Sequence, residues 1–267
     1  MGMLHRGVIA GRPTTAAGGL QRGWHGHAAS RTEGGLGADD VLGEVSPGAV
    51  RTFLLECTLA LTALHLLAAY VHHGLGYDYA LGFVPLFDFN LESNAPTWFS
   101  SALLIGAGIA ALLVASRSRV HRWHWAAMGF VALFLSLDES AQIHELLSAA
   151  LRSRLDLGGG FSWTVVAVVA ILPVLLGIAL FYRFVAALPA DTRRALVAAG
   201  VVYVAGVVGV DTVAAFAHAG SGGVVLVTAL NTVEELLEMV GIILLIHALL
   251  THLLRHTGPA APEAAAG

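Results

Sequence analysis

Six carboxylic acids lie within two hydrophobic segments of this chain, where an ordinary membrane-spanning helix carries none. They are Asp138, Glu139 and Glu145 in one segment and Glu234, Glu235 and Glu238 in the other. The sequence has no lysine, and neither segment contains an arginine, so salt bridges within these segments cannot neutralise the acids. Inserting an acid at the centre of a membrane helix costs roughly 2.5 to 3.5 kcal/mol, so such acids tend to mark ion pathways, proton relays or metal sites. We therefore expect the function to reside in this cluster.

The composition is that of a polytopic membrane protein. Hydrophobic residues make up 57% of the chain and charged residues 12%, with a mean hydropathy of +0.76, whereas soluble domains carry about 25% charged residues. The net charge of −4 excludes the basic surface that nucleic-acid binding requires. The single Cys57 excludes an intrachain disulfide and a thiolate cluster, so a bound metal needs oxygen and imidazole ligands.

Six apolar stretches predict an all-α bundle of about six transmembrane helices. Each is near the roughly 20 residues that span the hydrocarbon core of a bilayer. The stretches are 51–73, 96–116, 124–148, 162–186, 194–218 and 223–253, within a transmembrane domain at 47–256. Residues 1–46 lack a continuous apolar core and are predicted to be a disordered tail, and residues 257–267, with two prolines, a flexible one.

Arginine is distributed unevenly between the two ends of these helices. It precedes the first stretch, follows the last, and occurs between the second and third and between the fourth and fifth. Because cytoplasmic loops are enriched in positive charge, both termini are predicted to be cytoplasmic. Arg152 and Arg154, in the loop after the third stretch, conflict mildly with this orientation.

The predicted orientation brings the ionisable residues of several helices to one level. At about 1.5 Å per residue, the acids of the third and sixth stretches and Asp211 of the fifth fall in the outer half of the bilayer or near its middle. His218 lies at the outer end of the fifth stretch, and His65 is central in the first. A polar site in the outer half is therefore expected.

Helical periodicity divides these residues into faces, because positions i, i+4 and i+7 share one side of a helix. Two faces are predicted from this spacing, one formed by Asp138, Gln142 and Glu145 and the other by Asn231, Glu235 and Glu238, with Glu234 beside it. Asp211 and His218, seven residues apart, form a third pair. Glu139 and His144 point away from the first face, on opposite sides of it. Not all of these groups can then serve one site.

A polar run between the first two helices adds a further acid. Pro96 is placed to begin the second helix, with Ser93 or Asn94 available to cap its amides. Glu92 lies at the outer mouth of the predicted cluster. It could close over the other acids or supply one more metal ligand.

The run Asn90 to Ser101, the run Leu135 to Glu139 and the pair His144 and Glu145 together resemble a group of uncharacterised bacterial multi-spanning membrane proteins. The resemblance covers roughly residues 50 to 255. It implies a shared polar centre but brings no activity with it. The corresponding location is the bacterial inner (cytoplasmic) membrane.

The favoured hypothesis is a metal-dependent enzyme that acts on a lipid or another apolar substrate. Divalent iron, zinc or manganese would balance several acids where no basic side chain is present. The predicted ligands are Asp138, His144, Glu145, Asp211, His218, Glu235, Glu238 and His65, with Glu139 or Glu234 as a general base and Glu92, Asn231 and Gln142 as further polar residues of the site. The Glu-x-x-His spacing of di-metal helical bundles is absent, and the residues do not decide between hydrolysis and oxidation.

Two alternatives remain open at this point. Partly protonated acids could form a proton or cation relay in a transport protein. The same groups could instead hydrogen-bond to one another in a structural subunit of a membrane complex, although such bonds average only about 0.6 kcal/mol. The sequence does not predict an oligomeric state.

Overall fold

The described part of the chain is built from helices. The computed structural model describes residues 46–157, 162–219 and 223–256, and no strand occurs within them. The helices are α1 (Pro47–Ala69), α2 (Phe83–Phe87), α3 (Ala95–Arg117), α4 (Arg122–Ala141), α5 (Ile143–Leu155), α6 (Trp163–Ala187), α7 (Ala190–Ala219) and α8 (Val224–His256). Short π-helical segments extend α1 at Tyr70–Gly74 and interrupt α6 at Ala167–Ile171 and α7 at Ala205–Val210.

Five of these helices are long and apolar enough to cross a membrane. They are α1 with its π-helical extension, α3, α6, α7 and α8, and the bent pair α4 and α5 makes a sixth span if it is counted as one. The prediction of an all-α, polytopic membrane bundle with about six spans is confirmed. The predicted tails, apart from Ser46, lie outside the described residues.

Helices α3 and α8 form the centre of the bundle. In their apolar stretches 56% and 50% of the residues are buried, compared with 17% in α1 and α7 and 11% in α6. Two apolar clusters fill the space around them, one centred on Trp125, Phe184 and Leu253 and the other on Met239 and Ile243. The central helices therefore position the site, while α1, α6 and α7 present most of their apolar surface outward.

The third predicted helix, 124–148, is not continuous, which corrects that part of the prediction. Helix α4 ends at Ala141, and α5 leaves it at an angle of 69°. Gln142, between them, has a φ of 55°, in the left-handed region, where a non-glycine residue costs roughly 1 to 2 kcal/mol. Asp138 and Glu145 are therefore on different helices, and the predicted face of Asp138, Gln142 and Glu145 does not form.

Helices α7 and α8 cross closely at two glycines, which have no side chain to keep the backbones apart. A Cβ atom at Gly241 would lie 2.7 Å from the backbone nitrogen of Tyr203, and one at Gly206 would lie 3.0 Å from the carbonyl oxygen of Glu234. Gly206 belongs to the π-helical segment of α7. The crossing thus brings the backbone of α7 directly against the acidic segment of α8.

Candidate metal centre

The break between α4 and α5 is organised by the carboxylate of Asp138. Its Oδ1 accepts a hydrogen bond from the backbone N–H of His144 (2.8 Å), and its Oδ2 lies 3.2 Å from Nδ1 of the His144 ring. A carboxylate that accepts from the first amides of a helix satisfies donors that have no partner within the helix. Asp138 therefore caps α5 and orients the imidazole ring of His144.

Glu92, His144 and Glu145 form a group that could bind a metal ion. One ligand atom from each lies within 4.8 Å of the others. Glu92 and His144 are partly buried and Glu145 is exposed. The Gln142 side chain hydrogen-bonds to Glu92, and Oε2 of Glu92 is buried without a hydrogen-bond partner among the described residues. The arrangement supplies two carboxylates and one imidazole beside the helix break.

Asn94 fixes the loop that carries Glu92 to the start of α3. Its Oδ1 accepts from the backbone N–H of Thr97 (3.2 Å), which makes Asn94 the N-cap that the sequence predicted as one of two candidates. Its Nδ2 donates to the carbonyl oxygens of Asp88 (2.7 Å) and Leu91 (2.9 Å). The side chain is buried, so these bonds are shielded from water.

A second set of bonds holds the same loop together and joins it to α8. Oδ1 of Asp88 accepts from the backbone and side-chain nitrogens of Asn90 (3.0 and 2.6 Å). Nδ2 of Asn231 on α8 donates to Oδ1 of Asn90 (2.9 Å). The predicted polar residue Asn231 is thus an anchor for the loop that presents Glu92.

His65 is fully buried, and both of its ring nitrogens make hydrogen bonds. Nδ1 accepts from the backbone N–H of Phe89 (3.0 Å), so Nε2 carries the proton and donates to Oγ1 of Thr232 (2.9 Å). Thr232 in turn donates to the carbonyl oxygen of Thr228 (2.6 Å). The predicted ligand His65 is therefore used in joining α1, the loop and α8, and neither nitrogen is left for a metal.

The remaining predicted acids lie within electrostatic range of one another. They are Glu139 on α4, Asp211 on α7, and Glu234, Glu235 and Glu238 on α8. Glu139 is close enough to interact electrostatically with Glu92, His144 and Asp138, and Glu235 interacts with Glu139, Glu234 and Glu92. Glu238 interacts with Glu235 and Asp211. Each of these carboxylates therefore has another acid within electrostatic range, and a bound cation would reduce the repulsion between them.

The pKa of Glu92, which lies in the loop before α3, is raised above its ordinary value of 4.5. Burial of the carboxylate is the main cause, and the negative charge of Glu145 adds to it. The charge of His144 and the hydrogen bond from Gln142 act in the opposite direction. A cation between Glu92 and Glu145 would remove both unfavourable contributions.

A family model described as a domain of unknown function (DUF8692) matches residues 57–253. The chain belongs to this family. The matched range runs from α1 to the last turns of α8 and includes the Glu92 loop and the helix break, in agreement with the resemblance to an uncharacterised family. No curated protein and no solved structure gives a significant match.

In this member of the DUF8692 family, the structure brings together residues that helical periodicity had separated. His144 and Asp138 are hydrogen-bonded, and Glu92 joins them from the loop. His218 is exposed at the end of α7, beyond Asp211. Gln142 is at the break itself.

Sequence reasoning missed Tyr203, which lies on α7 within electrostatic range of Glu238, Glu139 and Asp138. A single tyrosine in a valine- and alanine-rich helix is the signal that could have indicated it. Ser101 on α3 was also missed. Its hydroxyl hydrogen-bonds to that of Ser140 (2.7 Å) and fixes the end of α4 next to the acids.

Proposed function

We propose that this protein is a membrane enzyme that binds a divalent metal through Glu92, His144 and Glu145 and acts on a lipid or another apolar substrate. The observation that carries the proposal is the pairing of Asp138 with Nδ1 of His144 beside two further carboxylates. Metal-binding histidines commonly donate their second ring N–H to a carboxylate, which fixes the tautomer. With Nδ1–H donating to Asp138, Nε2 of His144 is available to the metal.

The donor set indicates both the class of metal and the chemistry. Carboxylates together with imidazole suit iron, manganese or zinc. A metal held by Glu92, His144 and Glu145 would supply Lewis-acid chemistry, and three protein ligands would leave a position open for substrate. Of the two predicted general bases, Glu139 is the better placed, because it interacts with Glu92 and His144. Glu234 instead interacts with Asp211.

The proposed location is the bacterial inner membrane, with both termini in the cytoplasm. The support is the distribution of arginine, which is enriched in cytoplasmic loops. In this orientation α1 begins at the cytoplasmic end of the bundle. The loop that carries Glu92, which joins α2 to α3, lies at the opposite end, so the metal ligands would be extracytoplasmic.

A second candidate function is a proton or cation pathway. The observation that favours it is the broken span, because interrupted helices beside intramembrane acids are typical of transporters. The interactions that link Glu92 to Glu235, and Glu235 to Glu238, extend from the loop into the bundle. Proton uptake into proteoliposomes that depends on Glu235 would favour this function over the enzyme.

Elemental analysis of the detergent-purified protein tests the proposed function. We expect about one tightly bound divalent metal per chain, the occupancy of a single site with three protein ligands. The Glu92→Gln variant should lose this metal. Glu56→Gln is the matched control, because Glu56 is an exposed acid on α1. Equal metal content in the two variants, or no metal in the wild type, would exclude the proposed centre.

Protonation of Glu92 is expected to compete with metal binding as the pH falls. Because the pKa of Glu92 is raised above 4.5, the competition begins at a higher pH than it would for an ordinary glutamate, and binding is restored as the pH rises. The carboxylic acid band that Glu92→Gln removes can be followed by infrared difference spectroscopy in the metal-free protein. Its midpoint should lie above 4.5 and should fall in Glu145→Gln, since the negative charge of Glu145 helps to raise it. An unchanged midpoint in Glu145→Gln would contradict the geometry.

A further inference from the structure

An apolar groove of about 560 Å³ lies between α6 and the helices α3, α4, α7 and α8. Its walls include Met128 and Val131 on α4, Ile178 on α6, Val197 on α7 and Leu245 on α8. Volumes of about 300 to 1,000 Å³ are typical of small-molecule sites. Because the walls are hydrocarbon, the groove suits an apolar ligand.

The two ends of the groove differ in chemistry. Arg193 lies at one end, where its Nη1 donates to the carbonyl oxygen of Ala186 (3.0 Å) and so fixes the side chain at the turn between α6 and α7. Tyr203 also lines the groove, ten residues along α7, or about 15 Å deeper. Tyr203 interacts electrostatically with Glu238 and Glu139. The groove therefore runs from a cation at the end of the bundle to a tyrosine that lies within electrostatic range of the acids.

We propose that this groove binds one acyl chain of an anionic phospholipid, whose phosphate lies at Arg193 and whose chain extends to Tyr203. Arginine recognises phosphate through charge-assisted, often paired hydrogen bonds. The groove has room for a chain but presents almost no polar surface to a headgroup. If the bound lipid is the substrate, the inference rests on the proposed function, because the groove directs the acyl chain, and not the headgroup, towards the acids. Binding of the lipid itself does not require the metal.

Two glycines that line the groove have open space where a side chain would begin. A Cβ atom at Gly177 or at Gly200, both of which line the groove, meets no atom within 4 Å. A phenylalanine at position 200 would occupy the space of the chain. Gly209, on the same helix, is equally open but does not line the groove, so Gly209→Phe is the matched control.

The experiment uses the full chain, stripped of metal with a chelator and reconstituted in nanodiscs that contain phosphatidylglycerol with a photoactivatable group on its acyl chain. Mass spectrometry should find labels at Met128, Val131 and Ile178 in excess over Phe130 and Phe134, which are exposed on α4 outside the groove. Gly200→Phe should reduce groove labelling to the level of Phe130, and Gly209→Phe should leave it unchanged. Even labelling of all outward-facing residues, or insensitivity to Gly200→Phe, would overturn the proposal.

The headgroup preference is tested with a phosphatidylcholine probe that carries the same reactive chain. Wild-type protein should favour phosphatidylglycerol by about fivefold, the factor that one basic residue contributes near an anionic lipid. Arg193→Gln should remove this preference, whereas Arg194→Gln, at the exposed neighbouring arginine, should retain it. Equal labelling of the wild type by both probes would overturn the anionic headgroup. If the protein binds no metal but the probe still labels the groove specifically, the proposed function fails and the proposed lipid site stands.

Discussion

Replacing His144 by glutamine is expected to abolish stoichiometric metal binding without changing the helical content. The substitution removes the imidazole, which is one of three proposed ligands, while the backbone N–H of residue 144 can still donate to Oδ1 of Asp138. Metal per chain and far-ultraviolet circular dichroism measure the two effects. His73→Gln is the control, because His73 is an exposed histidine in the π-helical extension of α1.

A weaker effect is expected when only the partner of His144 changes. Asp138→Asn keeps an oxygen that can cap α5 but removes the charge that orients the ring, and loss of such a partner typically weakens metal affinity about 10- to 100-fold. The order of metal affinities should therefore be wild type, then Asp138→Asn, then His144→Gln. Metal content in His144→Gln equal to that in His73→Gln would show that His144 is not a ligand.

Replacing Gly241 by alanine is expected to destabilise the bundle, because the added methyl group has no space at the crossing of α7 and α8. The added Cβ would lie 2.7 Å from the nitrogen and 2.8 Å from the Cα of Tyr203. These are backbone atoms, so α7 and α8 must move apart. Overpacking of this kind costs about 1 to 3 kcal/mol, and thermal unfolding in detergent should show a lower Tm.

Gly209→Ala provides the matched control for that measurement. It adds the same methyl group to α7 at a position with no atom within 4 Å, so its Tm should stay close to that of the wild type. The same Tm for both variants would mean that α7 and α8 do not cross at Gly241. A loss of metal in Gly241→Ala would additionally show that the crossing supports the acids.

The spans and the loop were accessible to sequence reasoning because their signals are local. Long apolar stretches predicted helices within a few residues of those observed, and the Ser93-Asn94-Ala95-Pro96 pattern predicted a capped start of α3. The periodicity also predicted that Glu234, Glu235 and Glu238 lie on one helix, which is α8. In each case the deciding residues are neighbours in sequence.

The helix break was not predicted because nothing in its sequence resembles a breaker. Ala141, Gln142 and Ile143 include neither proline nor glycine, and the chain turns because Asp138 supplies the cap that α5 needs. This changed the direction of His144, which a continuous helix would have turned away from Asp138. Side-chain capping across a turn depends on geometry that periodicity does not contain.

The structural role of His65, which was predicted to be a metal ligand, was missed for a different reason. Its partners are Phe89 in the loop and Thr232 on α8, which is 167 residues further along the chain. A central histidine on an apolar helix suggests a ligand only while those partners are unknown. Once both nitrogens are bonded, its role is to fix the loop against the bundle.

The two walls of the proposed metal centre differ in how easily they can move. The wall that bears Glu92 is bonded to α1, α3 and α8 through Phe89, Asn94 and Asn90. Helix α5, which bears His144 and Glu145, contains no buried residue along its whole length. The described bonds that hold the α5 side run from His144 to Asp138 across the break. We therefore expect the α5 side of the proposed centre to exchange its amide hydrogens faster than the Glu92 side, because fewer buried contacts hold it.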